Sequence, residues 1–185
     1  MTIGTIGHST HPIEEFIRML QAHGVRRLVD VRTIPKSRRN PQFNQESLAA
    51  SLQAAGIDYR HLPGLGGLRH ARKDSINSAW RNASFRGYAD YMQTPDFTSA
   101  IDELLGASPQ TETTVMCAEA VPWRCHRSLI ADALAVRNIA VEDIYYDAKG
   151  KSRREPHTLT RFAKVKGERL WYPGESELFA DLAGE

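Results

Sequence analysis

Apolar and polar positions along the chain alternate between short apolar runs and stretches that repeat about every 3.6 residues. "TIGTIGHS" opens as a strand-like run that ends in Gly7, His8 and Ser9. "HPIEEFIRMLQAHG" follows with a helical rhythm: Ile13, Phe16, Ile17 and Leu20 share a face, Pro12 suits the first turn, and Gly24 stops the helix. "VRRLVDVR" predicts a buried strand carrying Asp30 and Arg32 at its end, and "NQESLAASLQAAG" a second helix between Asn44 and Gly56. "IDYRHL" predicts a third strand. The segment from 63 to about 84 has weak periodicity and reads as a long loop, of the kind that is either functional or disordered.

Two helices are predicted next, "FRGYADYM" and "PDFTSAIDELLG", divided at Thr94-Pro95. "TTVMCA" is a fourth strand, "CHRSLIADALAVRN" a helix and "VEDIYY" a fifth strand. "HTLTRFAKVKGERLWYPG" reads as either an irregular tail or an edge hairpin, and "ESELFADLA" as a terminal helix. Strands alternating with helices predict a three-layer α/β fold, a mainly parallel sheet of about five strands with helices on both faces. The length of 185 residues suits a single domain over 1–185.

Sheets of this kind bind ligands beyond the carboxyl ends of their strands. Those ends gather His8 and Ser9, Asp30 and Arg32, His61, and Cys117 with Glu119. The polar residues concentrate where the architecture places a crevice, with the 63–84 loop expected to cover part of it.

Composition narrows the classes only in part. No apolar run approaches the ~18 residues of a membrane span, and the N-terminus lacks the basic and apolar regions of a signal peptide. A cytoplasmic protein without membrane partners is expected. The formal charge of +2 does not by itself call for nucleic acid. Basic clusters at 32–39, 68–73 and 148–154 read as solvated loops or as holders of a phosphate-bearing ligand. An anionic small molecule or nucleic acid is therefore a candidate partner, and the sequence leaves the cofactor unknown.

The stretch "CAEAVPWRCHRS" at 117–128 holds both cysteines of the chain. A structural disulfide is not expected in a cytosolic chain, and the C-x7-C spacing does not follow zinc patterns. His8, His61, Cys117, Glu119, Cys125 and His126 include metal-ligand types, but they come from separate strand ends and no metal is assigned. Cys117 is either a small buried hydrophobe or a nucleophile. Cys125, ahead of His126 and Arg127 at a helix start, is either structural or a thiolate favoured by the helix dipole.

Glu119 is a general acid or base, or else an ion-pair partner of Arg124 or Arg127. Arg127, with its bidentate fork, and His126 are expected to hold an anion at the helix N-terminus, though His126 also suits packing under the loop. His8 is the second proton-moving candidate. Ser9 and Ser37 join Arg32, Arg127, His126 and Cys125 as substrate-binding candidates, with helix capping the plainer role for Ser9. Asp30 and Arg32 also suit a structural ion pair. Trp123 in the "AVPW" turn is expected as an apolar lid or anchor. Tyr88 and Tyr91 read as core, and "PGLGGLR" lacks the strand-turn-helix context of a phosphate loop.

"TIGHSTH", "DVRTIPKS", "YRHLPGLGG", "FRGYADYM", "CAEAVPWRCHR" and "HTLTRFAKV" together resemble the bacterial domain-of-unknown-function family 488. That resemblance implies a compact α/β fold and carries no established reaction. A weaker similarity, a strand ending "LVDVR" and a later strand-loop-helix with a cysteine, is to the rhodanese and cysteine-phosphatase layout. There a loop from cysteine to arginine cradles an anion. Here six residues separate Cys117 from Arg124 instead of five, and Pro122 and Trp123 occupy the loop.

Three functions follow as expectations. The first is an enzyme on an anionic, phosphate-containing ligand, with Arg32 and Arg127 positioning it and Glu119 or His8 moving a proton. The second is sulfur-transfer or redox chemistry at Cys117 or Cys125. The third is a non-enzymatic nucleic-acid-binding module.

Overall fold

A computed structural model describes residues 1–108, 110–146 and 151–174; the helix expected at 175–183 lies outside them. Strand β1 (Thr2–Gly7) is near the middle of a six-stranded sheet. The remaining strands are β2 (Arg27–Asp30), β3 (Asp58–His61), β4 (Thr113–Cys117), β5 (Ala140–Tyr146) and β6 (Ser152–Pro156), in the order β3-β2-β4-β1-β5-β6. All pairs are parallel except β5 with β6.

The strands present opposite faces with a period of two, and each face has its own core. Ile6, Leu28, Met116 and Ile144 pack against α1 (Ile13–Ala22) and α2 (Gln45–Ala54) through Phe16, Leu20, Leu48 and Leu52. Ile3, Val29, Val115 and Val141 pack on the other side against α3 (Ala83–Tyr91), α4 (Pro95–Ala107) and α5 (Arg127–Ala135). The fold is the expected three-layer α/β architecture. Tyr88 is fully buried and Tyr91 packs against the same core, as the helical spacing indicated.

The sheet has six strands because the segment 152–156 is a strand. Its alternation is written in charges: Arg154 pairs with Glu112 and Glu142, and Arg153 with Glu155. This edge strand is guarded by cations, which disguised it as a basic loop. The C-terminal segment forms a separate hairpin, β7 (Lys164–Lys166) with β8 (Arg169–Trp171).

The connections fix the site. From β1 the chain leaves through α1 to β2 on one side, whereas from β4 it leaves through α5 across β1 to β5 on the other. Neighbouring strands β1 and β4 therefore send their chains to opposite faces, and a crevice opens at their carboxyl ends.

Candidate functional site

At that switch point β1 delivers His8 and β4 delivers Cys117. Pairing continues past both strands, with His8 N–H bonded to Cys117 O at 3.0 Å and Ser9 N–H to Ala118 O at 2.9 Å. Gly7 makes this possible: a Cβ there would stand 1.7 Å from the Glu119 carbonyl oxygen. Ser9 pays for the tight exit with φ +48°, a left-handed conformation that a non-glycine residue keeps only when its surroundings impose it.

A cavity of about 660 Å³ opens over these strand ends. His8, Ser9, Arg32, Ser37, Cys117, Glu119, Cys125 and His126 all line it, so eight of the nine residues expected from the sequence come together. Gly67, Leu68 and Ser84 show that the 63–84 loop covers part of it. Thr10, Lys36 and Asn40 complete the polar wall; Lys36 belongs to the basic cluster at 32–39, while the sequence does not single out Thr10 and Asn40 as site residues, because loops carry no periodicity to rank their residues.

On one wall, Arg32 forms a two-pronged bond to Asp30 at 2.8 and 2.6 Å, donates to Phe43 O at 2.8 Å and approaches His8 Nε2 at 3.2 Å. Among the described residues that engages four of its five guanidinium hydrogens, and the residue faces the cavity. Asp30 also accepts from the Tyr59 hydroxyl at 2.9 Å. His8 Nδ1 donates to Ser9 O at 2.8 Å, and its ring stacks on Phe43 at 4.1 Å. Burial lowers its pKa to about 4, so His8 is neutral and accepts from Arg32. Asp30–Arg32 is thus a buried ion pair that also positions a histidine.

The thiols form the floor. Arg127 is fully buried and lies beneath the cavity, outside its lining. It donates from Nη1 to Cys117 Sγ at 2.8 Å and to Glu119 O at 2.6 Å, and from Nη2 to Ala120 O at 3.0 Å. Its fork closes the 117–120 turn instead of meeting a ligand. Burial alone would push the Cys117 thiol up. The hydrogen bond from Cys125, the charge of Arg127 and contacts with Glu119 and Arg127 outweigh it and bring the pKa down to about 7. Cys125 is pushed well up, first by its hydrogen bond to Cys117 and then by burial. The two thiols titrate as one pair, with Cys117 the more acidic member and Cys125 the less acidic.

His126 stands beside Cys125, with Nδ1 3.5 Å from its sulfur, while Nε2–H donates to Val31 O at 3.1 Å. Burial brings His126 to about 4, leaving Nδ1 unprotonated. Gly67 leaves room for this ring, since a Cβ there would lie 2.5 Å from Nδ1.

Glu119 is exposed at the rim, and its backbone oxygen, not its carboxylate, meets Arg127. Trp123 is 66% exposed and lines a different groove, so it is no lid on this cavity. His61 supports from behind by donating Nε2–H to Arg32 O at 2.8 Å. Among the described residues no three His, Cys, Asp or Glu side chains gather as a metal site.

The sequence model described as "Domain of unknown function DUF488" matches residues 12–134. The chain belongs to the DUF488 family. The matched span runs from the start of α1 to the end of α5 and so includes Arg32, Ser37, Cys117, Glu119, Cys125, His126 and Arg127, while His8 and Ser9 precede it. No curated protein and no solved structure matches this DUF488 chain. The rhodanese and cysteine-phosphatase likeness is not shown by these comparisons. In this DUF488 member the arginine that reaches the cysteine is Arg127, inside the fold, and Arg124 is exposed.

Proposed function

We propose that this DUF488 protein is a thiol-dependent enzyme in which the Cys117 thiolate attacks an electrophilic sulfur of a small anionic ligand and Cys125 resolves the adduct. One observation carries the reading. Arg127 is permanently cationic and fully buried, and among the described residues no carboxylate pairs with it; its one ionisable contact is Cys117 Sγ at 2.8 Å. Buried charges are paired, so the anion that balances Arg127 is the Cys117 thiolate.

The ligand is a disulfide or thiosulfonate bearing an anionic group. Lys36 supplies positive charge at the cavity, the charge of Arg32 being balanced by Asp30, and Ser9, Ser37 and Asn40 supply hydrogen bonds. Cys117 forms a bond to one ligand sulfur, the S–S bond of the ligand breaks, and its electron pair leaves with the departing thiolate or sulfinate. Cys125 then passes its proton by way of His126 Nδ1 to the second fragment, which leaves as a thiol. The Cys125 sulfur displaces that fragment from Cys117, closing a Cys117–Cys125 disulfide. A dithiol reductant restores the pair by taking over that disulfide.

The test follows thiol release from glutathione disulfide and from aryl thiosulfonates bearing a carboxylate, with mass spectrometry of the protein. Cys125→Ser should accumulate a Cys117 mixed disulfide, and Cys117→Ser should turn nothing over. Since Cys117→Ser also removes the partner of Arg127 and can cost the fold, wild-type alkylation supplies a second reading. The Cys117 rate should rise with a midpoint near pH 7. A midpoint near the ordinary thiol value overturns the proposal. So does turnover of phosphoesters that survives loss of Cys117 and falls with His8→Ala or Glu119→Gln.

A further inference from the structure

Away from the thiol cavity, the loop before α3 and the hairpin β7–β8 enclose a groove of about 840 Å³. Among the described residues its lining includes Arg81, Arg161 and Lys164 and no acidic residue. Arg81 and Arg161 are exposed and Lys164 is half-buried; among the described residues none of the three has an ion-pair or hydrogen-bond partner. Some other surface cations are committed: Arg72 to Asp74, Arg153 to Glu155, Arg154 to Glu112 and Glu142, and Arg137 to Glu168. What sets these three apart is that they line one concave surface together.

Arg161 also lines a second groove of about 490 Å³ that holds Trp80 and Trp123. Trp123 is an indole 66% exposed on a short turn, and the Trp80 Nε1–H is buried without a partner. The two acids of this second groove are already engaged: Asp143 accepts from Thr5 and contacts His157, and Glu155 accepts from Tyr145 and pairs with Arg153. A cationic channel thus runs through Arg161 into an aromatic one.

We propose that these joined grooves bind single-stranded nucleic acid, with Arg81, Arg161 and Lys164 along the phosphate backbone and Trp123 stacking a base. Cations that follow the backbone, with an aromatic face presented for stacking, are the two elements such binding needs. An exposed indole favours a single strand, because bases in a duplex have no free face. The proposal does not depend on the thiol chemistry.

The experiment is fluorescence anisotropy of the full chain with labelled oligo(dT) and oligo(U) across a salt series, alongside a labelled duplex. Single strands should bind at low salt, with quenching of tryptophan emission. The triple variant R81Q/R161Q/K164Q should bind at least tenfold more weakly, with a salt slope lower by about 2, since each single-strand phosphate contact contributes about 0.7. Trp123→Ala should weaken binding severalfold and remove most of the quenching, while Arg38→Gln in the other basic loop leaves binding unchanged. Absence of binding at low salt, equal affinity for the duplex, or wild-type affinity in the triple variant overturns the proposal. All five substituted side chains are exposed or half-buried, so thermal melts matching wild type should accompany each result.

Discussion

Arg127 shows what can and cannot be read at the scale of a residue. Its place in the first turn of α5 was legible from the sequence, as was the polar character of the stretch around it. The direction of its fork was not, because that depends on the 117–120 turn curling back over Gly7, a contact between residues far apart in sequence. A guanidinium expected to face a ligand instead holds two backbone carbonyls and a sulfur. Arg127→Met should therefore cost about 3 kcal/mol or more in denaturant unfolding, since each buried acceptor left alone costs ~1–3 kcal/mol. In the fraction that stays folded, the alkylation midpoint of Cys117 should move up from about 7, because a cation favouring the thiolate is gone. An unmoved midpoint would detach the thiol from the arginine. Cys117, Glu119 and His8 were legible as strand-end residues for a simpler reason: position on an open parallel sheet converts directly into position at its crevice.

At the scale of elements, the parallel strands declared themselves by apolar runs, whereas β6 did not. Its residues are mostly charged, and only the partners at Glu112, Glu142 and Glu155 turn those charges into a strand edge. Just beyond β6, His157 clips three elements together: Nε2 lies 2.9 Å from Asp132 on α5 and Nδ1 3.1 Å from Asp143 on β5. Asp132 also accepts from Thr160 N–H and the Tyr172 hydroxyl, so it anchors the C-terminal segment. Burial lowers the His157 pKa, but the hydrogen bonds and charges of the two aspartates outweigh it and raise it to about 9. Folding therefore favours the protonated ring. Its contribution is complete below the ordinary histidine value of about 6.5 and disappears as pH rises through about 9. In thermal melts, wild type should exceed His157→Gln by the equivalent of about 2–3 kcal/mol at pH 6, with the gap closing by pH 9.5. A gap independent of pH would mean that the clip acts by packing alone.

On the scale of the whole molecule, the sheet separates two cores. Leu52 belongs to the one under α1 and α2, and Leu104 to the one under α3, α4 and α5; both are fully buried. Leu52→Ala and Leu104→Ala should each cost about 2–5 kcal/mol, and the double variant their sum to within about 0.5 kcal/mol, as guanidinium titrations would show. A large deviation would mean that the sheet transmits strain between its faces. The layers were legible because each helix announces its own apolar stripe, but the strand order was not, since the same alternation fits many crossovers. The buried cation beneath the site, which no carboxylate pairs with among the described residues, links this architecture to the proposed chemistry. A neutral adduct on Cys117 leaves Arg127 uncompensated in a medium that solvates charge poorly. On the proposed chemistry the protein is least stable while Cys117 is held in a neutral disulfide, with the ligand or with Cys125, and reduction restores the thiolate that balances the cation. On that chemistry the oxidised pair should be readily reduced for a reason that lies in the fold and not in the ligand.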